Sequence, residues 1–196
     1  MAVEKHEIRA EKACERSMMG DSERVEKTGE IRQKLFSLAE FSDAESAAFY
    51  VGVENEVNTL GMIREALEMK KRIFVPVTDF RKKEMHLCEL RDLDDLEERK
   101  LSSGKVLLEP KKGKHDFVDA KEVSLVIVPL VAFDDSCHRV GSGAGFYDRY
   151  LKKIEEHVPT IGLAFECQRV DSIPAEEHDV PLKKIVTEKR LIQCPK

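Results

Sequence analysis

Small and charged residues in the C-terminal half of the chain have the spacing of a polyphosphate site. Gly141, Gly143 and Gly145 alternate, and glycine permits the positive φ angles at which successive backbone N–H groups converge on an anion. Arg139 precedes them and offers a guanidinium fork to phosphate oxygens, while Asp148 follows them as a carboxylate suited to Mg²⁺. This pattern predicts a loop that binds a nucleotide's phosphates together with a magnesium ion.

Other interpretations of the same loop stay open at this stage. A helix predicted to begin near Phe146 would point its positive end at the anion, but glycines before a helix can also serve only close packing against a sheet. A Rossmann dinucleotide site is a second alternative, because Glu166 ends the next predicted strand where a ribose-binding acid would stand. Against it, Phe146 stands where the fingerprint needs glycine, and about ten residues separate Pro129 from Gly141. A Walker A loop is excluded, since no Gly-Lys-Ser/Thr follows the glycines.

The elements that must position this loop alternate between helix and strand. Residues 122–129 form the most hydrophobic run, which is typical of a strand in the middle of a parallel sheet. Ligands of open α/β sheets collect beyond the carboxyl ends of such strands, so the glycine loop follows the expected edge. Helices are predicted at 3–17, 22–39, from 58–59 onward and at 147–156, and strands at 47–51, 72–77, 85–90, 105–110, 122–129, 159–165 and 184–187. We therefore predict one domain over residues 1–196, a three-layer α/β/α Rossmann-like sandwich with a largely parallel sheet.

Composition restricts the function classes. The chain has 196 residues, of which 41% are hydrophobic and 36% charged, and no apolar run approaches a membrane span. A net charge of -5 and a pI near 5.8 disfavour nucleic acid as a partner. The first residues lack the apolar core of a secretory signal, so we expect a cytoplasmic protein, and a monomer. Five scattered cysteines without a Cys-x-x-Cys pair predict buried free thiols rather than disulfides or a zinc site.

The segment that carries the glycine loop resembles the signature of the 5-formyltetrahydrofolate cyclo-ligase family. The resemblance rests on Pro-Leu-Val-Ala-Phe-Asp at 129–134 and Arg-Val-Gly-Ser-Gly-Ala-Gly-Phe-Tyr-Asp-Arg-Tyr-Leu at 139–151. It continues through the segments 5–9, 50–59, 176–179 and 185–188, and it is weak only at about 81–122. It implies that family's α/β fold and an ATP- and Mg²⁺-dependent enzyme that cyclises 5-formyltetrahydrofolate to 5,10-methenyltetrahydrofolate, releasing ADP and phosphate.

The resemblance also implies roles for individual residues. The residues it implies for ATP are Lys5, Arg9, Arg139, Gly141, Ser142, Gly143, Ala144, Gly145, Phe146 and Tyr147. Those implied for the folate are Val51, Glu56, Phe146 and Tyr147, and those implied for magnesium are Asp148 and Asp179. The carboxylate of Glu56 would pair with the adjacent N–H donors of the pterin. Without the resemblance, Lys5 and Arg9 are better explained as part of a solvated helix face. The other residues then also fit a loop acid before a helix (Glu56), helix-start and turn carboxylates (Asp148 and Asp179) and core (Val51 and Phe146).

Three positions depart from the family pattern and define the alternatives. Cys137 stands where glycine is usual, Ala144 where glycine or lysine is usual, and Phe146 where tyrosine is usual. Ala144 preserves a close backbone approach only if its φ is negative, and Phe146 keeps a ring but loses a hydroxyl. A cyclo-ligase for a modified pterin such as methanopterin is one alternative, and a non-catalytic nucleotide-binding protein on the same fold is the other. The presence of two carboxylates for a metal, Asp148 and Asp179, favours the ligase. The ligase reaction requires no side-chain nucleophile, so Cys137 is not expected to have a covalent role.

Overall fold

The computed structural model describes residues 4–101, 104, 106–113, 116–176 and 178–194. The predicted helix start at residue 3, the predicted strand start at residue 105 and residue 177 of the 176–179 segment lie outside these ranges. The helices are α1 (Lys5–Ser17), α2 (Asp21–Phe36), α3 (Ala39–Ser42), α4 (Leu60–Glu68) and α5 (Phe146–Leu151). The strands are β1 (Ser46–Ala48), β2 (Arg72–Asp79), β3 (Glu84–Leu90), β4 (Leu96–Lys100), β5 (Val106–Pro110), β6 (Phe117–Val118), β7 (Val126–Pro129), β8 (Ala132–Phe133), β9 (Arg139–Val140), β10 (Thr160–Leu163), β11 (Lys184–Val186) and β12 (Leu191–Gln193).

Eight of these strands form the main sheet, in the order β12-β11-β10-β7-β1-β2-β3-β6. The strands β11, β10, β7, β1 and β2 run parallel to one another, while β12, β3 and β6 add antiparallel edges. The most hydrophobic run of the sequence supplies β7, which lies between β10 and β1 as expected for a strand covered on both faces. The predicted largely parallel α/β sheet is therefore confirmed.

Side chains of the central strand alternate between two cores. Ile127 joins the cluster that contains Ile31 of α2 and Ile63 of α4, whereas Val126 and Val128 join the cluster on the opposite face. Burial of both faces explains why this strand is apolar without interruption. None of the helices in the described ranges has the length and apolar content needed to cross a bilayer.

Two helices differ from their prediction. The spacing of Val25, Ile31, Leu35 and Leu38 in the sequence predicts one buried stripe on the second helix, α2, but Val25 is 75% exposed, while Ile31 and Leu35 are fully buried. Val25 lies six positions before Ile31, and at about 100° per residue this places it on another side of the helix, so the assignment was wrong. The last helix ends at Leu151 instead of residue 156, because Ile154 N–H donates to the Leu151 carbonyl at 3.3 Å and tightens the final turn.

Several strands were missed. A further strand, β12, returns antiparallel to β11, so the strand beginning at Lys184 is not the last one. The segment before the glycines contains a short hairpin of β8 and β9, where no strand was predicted. Strand β4 was also missed; it pairs with the predicted strand β5, and the two form a separate two-stranded sheet.

The prediction that all five cysteines are free was wrong for two of them. Cys137 and Cys194 form a disulfide with their Cα atoms 5.7 Å apart, while Cys14, Cys88 and Cys167 are free. Cys14 is also exposed rather than buried. The bonded residues are 57 positions apart and meet only because β12 runs back beside the turn between β8 and β9. Sequence spacing carries no signal for such a pair.

Candidate active site

The glycine loop connects β9 to α5, and two of its three glycines use a conformation that side chains disfavour. Gly143 has a φ of 102° and Gly145 a φ of 66°, and Gly145 is the N-cap of α5. Gly141 does not have a positive φ; its carbonyl oxygen accepts a hydrogen bond from Nε of Arg9 at 2.8 Å. Ala144 does not have a positive φ, so its methyl group adds no backbone strain.

A buried carboxylate shapes the hairpin that delivers Arg139 to this loop. Asp134 accepts hydrogen bonds from the backbone N–H groups of Ser136 and His138, both at 3.0 Å, which closes the turn between β8 and β9. Its other oxygen accepts from the backbone N–H of Ile173 at 2.9 Å. These bonds fix the hairpin against a neighbouring segment, so Arg139 begins β9 in a defined position.

Arg139 holds the loop to two other segments. Its guanidinium lies 2.6 Å from Oδ1 of Asp148 and donates a further hydrogen bond to the carbonyl oxygen of Val180. Its side chain is only 4% exposed. Burial lowers the pKa of Arg139, and the negative charge of Asp148 counteracts that shift, so the guanidinium stays protonated at neutral pH. A buried cation therefore lies beside a carboxylate that was predicted to bind magnesium.

Lys5 forms a second cation–carboxylate pair at the start of α1. A capping box between Glu4 and Glu7 begins this helix, which puts Lys5 in its first turn. Nζ of Lys5 lies 2.6 Å from Oδ2 of Asp179 and 3.1 Å from Glu176. Partial burial alone would lower the pKa of Lys5 and raise that of Asp179, but their mutual hydrogen bond reverses both shifts. Both groups are therefore charged at neutral pH.

These pairs border a cavity of about 570 Å³ that we call the polar cavity. Its lining comes from α1, the glycine loop and the segment 174–179. Its lining residues are Glu4, Lys5, His6, Arg9, Arg139, Val140, Gly141, Gly143, Gly145, Asp148, Pro174, Glu176, His178 and Asp179. Cations and free glycine edges in one concave surface suit a multiply charged anion.

A second cavity of about 360 Å³, the apolar cavity, also borders the glycine loop. Apolar and aromatic side chains dominate its walls, and a few polar groups interrupt them. It is lined by Tyr50, Val51, Val53, Glu56, Pro76, Thr78, Phe80, Leu101, Leu107, Leu108, Glu109, Pro129, Leu130, Val131, Arg139, Gly141, Ser142, Ala144, Gly145, Phe146, Tyr147 and Asp148. Such a volume and lining suit a flat heterocycle.

The loop after β1 brings Glu56 into the apolar cavity. The hydroxyl of Thr59 donates to the Tyr50 carbonyl at 2.6 Å and accepts from the Gly52 N–H at 3.0 Å, which folds the loop back on itself. A side chain at Gly52 would place its Cβ 2.5 Å from the Val57 carbonyl oxygen, so only glycine fits. Oε2 of Glu56 accepts from a backbone N–H three residues earlier at 3.3 Å. The loop thus fixes where this carboxylate lies.

Two phenols share this environment. Burial, reinforced by the negative charge of Glu56, raises the pKa values of Tyr50 and Tyr147. Both hydroxyls are therefore protonated at neutral pH, and that of Tyr50 donates to the Val57 carbonyl at 3.0 Å. These phenols therefore add no negative charge to the cavity that contains Glu56.

The two cavities share one wall. Arg139, Gly141, Gly145 and Asp148 line both of them, so molecules bound on either side meet at the glycine loop. Every residue that the sequence predicted for ATP, folate or magnesium lines at least one cavity. Glu166, the candidate ribose acid of the dinucleotide alternative, lines neither; it accepts from Thr187 at 2.7 Å and pairs with Arg190.

Comparison with known proteins decides the family. A sequence model of the 5-formyltetrahydrofolate cyclo-ligase family matches residues 1–188. The chain belongs to this family. The 5-formyltetrahydrofolate cyclo-ligase of Haemophilus influenzae is 33% identical over 158 residues, covering 80% of this chain and 82% of that one. The Escherichia coli K12 cyclo-ligase is 31% identical over 146 residues, covering 74% and 78% of the two chains.

A solved structure agrees. The structure of the 5,10-methenyltetrahydrofolate synthetase of Aquifex aeolicus superimposes with a TM-score of 0.83 at 27% identity, covering 98% of this chain and 93% of that one. The predicted family, fold and enzyme class, a 5-formyltetrahydrofolate cyclo-ligase, are therefore confirmed.

One side of the apolar cavity comes from residues that sequence reasoning missed. Leu107, Leu108 and Glu109 of β5 and Phe80, at the end of β2, line it, although the resemblance to the cyclo-ligase family is weak there. Phe80 packs edge-on against Phe146 with ring centroids 5.4 Å apart and is 42% exposed. The one sequence signal for this side of the cavity was Phe80, an aromatic residue beside a turn. The polar cavity likewise gains Glu176 and His178, which lie in the resembling segment 176–179 but were assigned no role from the sequence.

The two carboxylates predicted for magnesium have the right chemistry, although each is engaged. Carboxylate oxygens suit Mg²⁺, which usually binds through one or two of them together with substrate phosphates and water. Asp148 and Asp179 both line the polar cavity. Within the described residues no group of three or more His, Cys, Asp or Glu side chains forms a ready metal site. The donor set therefore fits a magnesium ion held jointly with a nucleotide in this cyclo-ligase family member.

Proposed function

We propose that this cyclo-ligase converts 5-formyltetrahydrofolate into 5,10-methenyltetrahydrofolate by passing a phosphoryl group from ATP across the glycine loop. ATP would occupy the polar cavity and the pterin the apolar cavity. The observation that carries the proposal is the wall common to both, made of Arg139, Gly141, Gly145 and Asp148. Proximity of the two reactants is the main requirement of such a transfer.

The polar cavity supplies the charge that ATP requires. Lys5 and Arg9 are four residues apart and so lie on one face of α1, and both line this cavity. Arg139 adds a buried guanidinium at the shared wall. The glycine N–H groups would complete the cradle of the triphosphate, with Ser142, Ala144, Phe146 and Tyr147 continuing the loop toward the pterin.

Magnesium would be held by Asp148 and Asp179. Both are now paired with cations, Asp148 with Arg139 and Asp179 with Lys5, each at 2.6 Å. We infer that nucleotide binding exchanges these partners: phosphates draw Lys5 and Arg139, and the released carboxylates face the metal. A bound Mg²⁺ supplies neutralisation of charge on the phosphate oxygens.

The apolar cavity provides orientation of the pterin. Glu56 would accept hydrogen bonds from the adjacent N–H donors of the 2-amino-4-oxopyrimidine ring, which a carboxylate matches with its two oxygens. Val51, Phe146 and Tyr147 would flank the heterocycle. The neutral phenol of Tyr147 avoids repulsion of the incoming phosphoryl group.

The reaction itself requires no nucleophile from the protein. The formyl oxygen at N5 attacks the γ-phosphorus of ATP, ADP leaves, and an imino phosphate forms. N10 then attacks the activated formyl carbon, and the phosphate leaves with the former formyl oxygen. The five-membered methenyl ring closes as N10 loses its proton. Positioning and electrostatic stabilisation by Lys5, Arg139 and the glycine amides are what the protein contributes.

The test is a spectroscopic assay of the methenyl product with 5-formyltetrahydrofolate, ATP and Mg²⁺. We expect product formation that stops when ATP or Mg²⁺ is omitted, and a weaker response to a formylated methanopterin. ATP binding without turnover of either pterin would instead identify a non-catalytic nucleotide-binding protein.

The chain is further proposed to act as a single-domain cytoplasmic monomer with no nucleic-acid or membrane partner. All residues of both cavities come from one chain, and the net charge of -5 disfavours phosphate backbones. Light scattering after size exclusion should give the mass of one chain, 22.4 kDa. A dimer mass would contradict the monomer, and two separate unfolding transitions would contradict the single domain.

A further inference from the structure

The disulfide between Cys137 and Cys194 takes no part in ring closure, yet it lies beside the binding machinery. Cys137 is fully buried in the turn of the β8–β9 hairpin, and Arg139 follows two positions later. Cys194 follows β12 and is partly exposed. The Cα separation of 5.7 Å is within the range that a disulfide requires.

Hydrogen bonds connect both cysteines to the segment after Asp179. The carbonyl oxygen of Cys137 accepts from the Leu182 N–H at 3.1 Å, and the Cys194 N–H donates to the Lys183 carbonyl at 3.1 Å. The disulfide and these two hydrogen bonds therefore form a closed ring that includes residues 182–183. Any relaxation of this ring moves the segment that begins with a proposed magnesium ligand.

The same segment contacts Arg139. The guanidinium of Arg139 donates to the Val180 carbonyl, so the position of 179–183 and that of the shared wall are linked. Cys137 also has a φ of 62°, a left-handed conformation that is unfavourable for a residue with a side chain. Once the covalent bond is removed, hydrogen bonds and the packing of the buried Cys137 side chain are what still oppose relaxation of this turn.

We propose that Cys137 and Cys194 form a thiol–disulfide exchange site through which a dithiol reductant weakens ATP binding. The inference rests on the proposed nucleotide role of the polar cavity. The oxidised form keeps the backbone that carries Arg139 and Asp179 in place beside the polar cavity, where both side chains are available to exchange partners when the nucleotide binds. In the reduced form hydrogen bonds and side-chain packing still join the hairpin to the segment 179–183, but without the disulfide each restrains the other less.

The exchange has one accessible route. A thiolate of the dithiol attacks Sγ of the partly exposed Cys194 and forms a mixed disulfide, and the bond to Cys137 breaks. Cys137 leaves as a thiolate and takes up a proton. The second thiol of the reductant then attacks the mixed disulfide and releases Cys194 as a thiol. Two electrons and two protons pass to the protein, and the reductant becomes a disulfide.

Counting thiols tests the bond independently of ATP. Alkylation of the unfolded, air-oxidised chain, followed by mass spectrometry, should label three cysteines, namely Cys14, Cys88 and Cys167. After prior reduction with dithiothreitol it should label all five. Five labels without reduction would contradict the disulfide.

Calorimetry of ATP binding in the presence of Mg²⁺ tests the coupling. Oxidised wild type should bind ATP at least about fivefold more tightly than the same protein after dithiothreitol. Cys194→Ser should match the reduced form under both conditions, whereas the matched control Cys14→Ser, at an exposed free cysteine, should keep the full response.

Each outcome is decisive. Equal, measurable affinities in the two redox states contradict the coupling and leave the proposed function intact. A Cys194→Ser variant that still responds to the reductant contradicts the assignment to this pair. ATP binding undetectable in both states contradicts the proposed function together with the coupling, and the thiol count alone then reports on the bond.

Discussion

Replacing Asp148 by asparagine isolates the charge that is shared between the buried Arg139 and the proposed magnesium site. The side chain of Arg139 is 4% exposed and that of Asp148 27%, and their atoms lie 2.6 Å apart. Removing one member of a buried pair typically costs about 3–5 kcal/mol. Asp148 is partly solvated, and the Val180 carbonyl still accepts a hydrogen bond from Arg139. We therefore expect Asp148→Asn to lower the free energy of unfolding by about 3 kcal/mol. For a chain of this size that corresponds to a melting temperature lowered by about 6–12 °C.

Turnover should fall for a separate reason. The introduced amide is a neutral and weaker ligand for Mg²⁺ than the carboxylate, so kcat/KM for ATP should fall at least about 100-fold, equivalent to about 2.7 kcal/mol. The methenyl assay, run well below the melting temperature of the variant, measures this loss. Calorimetry should also show that Mg²⁺ no longer strengthens ATP binding, a readout that loss of folding alone does not produce.

Asp135→Asn is the matched control. Asp135 lies in the same hairpin and also pairs with an arginine, Arg169, but both side chains are solvated, at 54% and 34% exposure. Exposed pairs contribute about 0–1 kcal/mol, so stability and turnover should stay near wild type. If Asp148→Asn turns over like wild type with an unchanged Mg²⁺ dependence, the carboxylate has no role in the metal site and the reasoning fails.

Three further predictions concern the pterin loop and a distant ion pair. Glu56→Gln should raise KM for 5-formyltetrahydrofolate about 10–100-fold in steady-state assays without changing KM for ATP, because one charged hydrogen bond of about 1.5–3 kcal/mol is lost. The control Glu54→Gln, at an exposed position of the same loop, should leave both KM values unchanged. Gly52→Ala places a Cβ 2.5 Å from the Val57 carbonyl oxygen, so it should lower the free energy of unfolding, measured in urea, by about 1–3 kcal/mol and raise KM for 5-formyltetrahydrofolate. Unchanged values would contradict the close packing of Gly52 against this carbonyl. A hydrogen bond from Lys184 lowers the pKa of Glu40, which therefore stabilises the fold above its unfolded pKa of about 4.3. Glu40→Gln should cost about 1 kcal/mol at pH 7, and the deficit should vanish as pH falls from about 4.3 through the lower folded pKa; a pH-independent deficit in denaturant titrations would contradict the pair.

The parts of the fold that the sequence predicts are those with a periodic or compositional signal. The apolar run of β7 indicated a central parallel strand, and the glycines indicated where the backbone would turn. Gly143 and Gly145 do have positive φ, whereas Gly141 shows that alternation alone does not fix each angle. Glu56 carried no signal of its own, since a loop acid is common, and only the family resemblance assigned it a role.

What escaped prediction depends on contacts between distant segments. Arg139 and Asp148 were both predicted as ligand-binding residues, but their pairing with each other follows from the β8–β9 hairpin, which is too short to leave a pattern. The union of Cys137 with Cys194 requires the unpredicted β12. The wall supplied by β5 lies where the resemblance was weakest, and its burial comes from packing against β2.

The separate two-stranded sheet of β4 and β5 has an evolutionary consequence. It contributes Leu107 and Leu108 to the apolar cavity but no residue to the polar cavity. Mutations in this two-stranded sheet can therefore reshape the cavity proposed for the pterin without touching the groups proposed for the nucleotide. On this proposal, selectivity for the heterocycle can change while its activation by ATP stays the same.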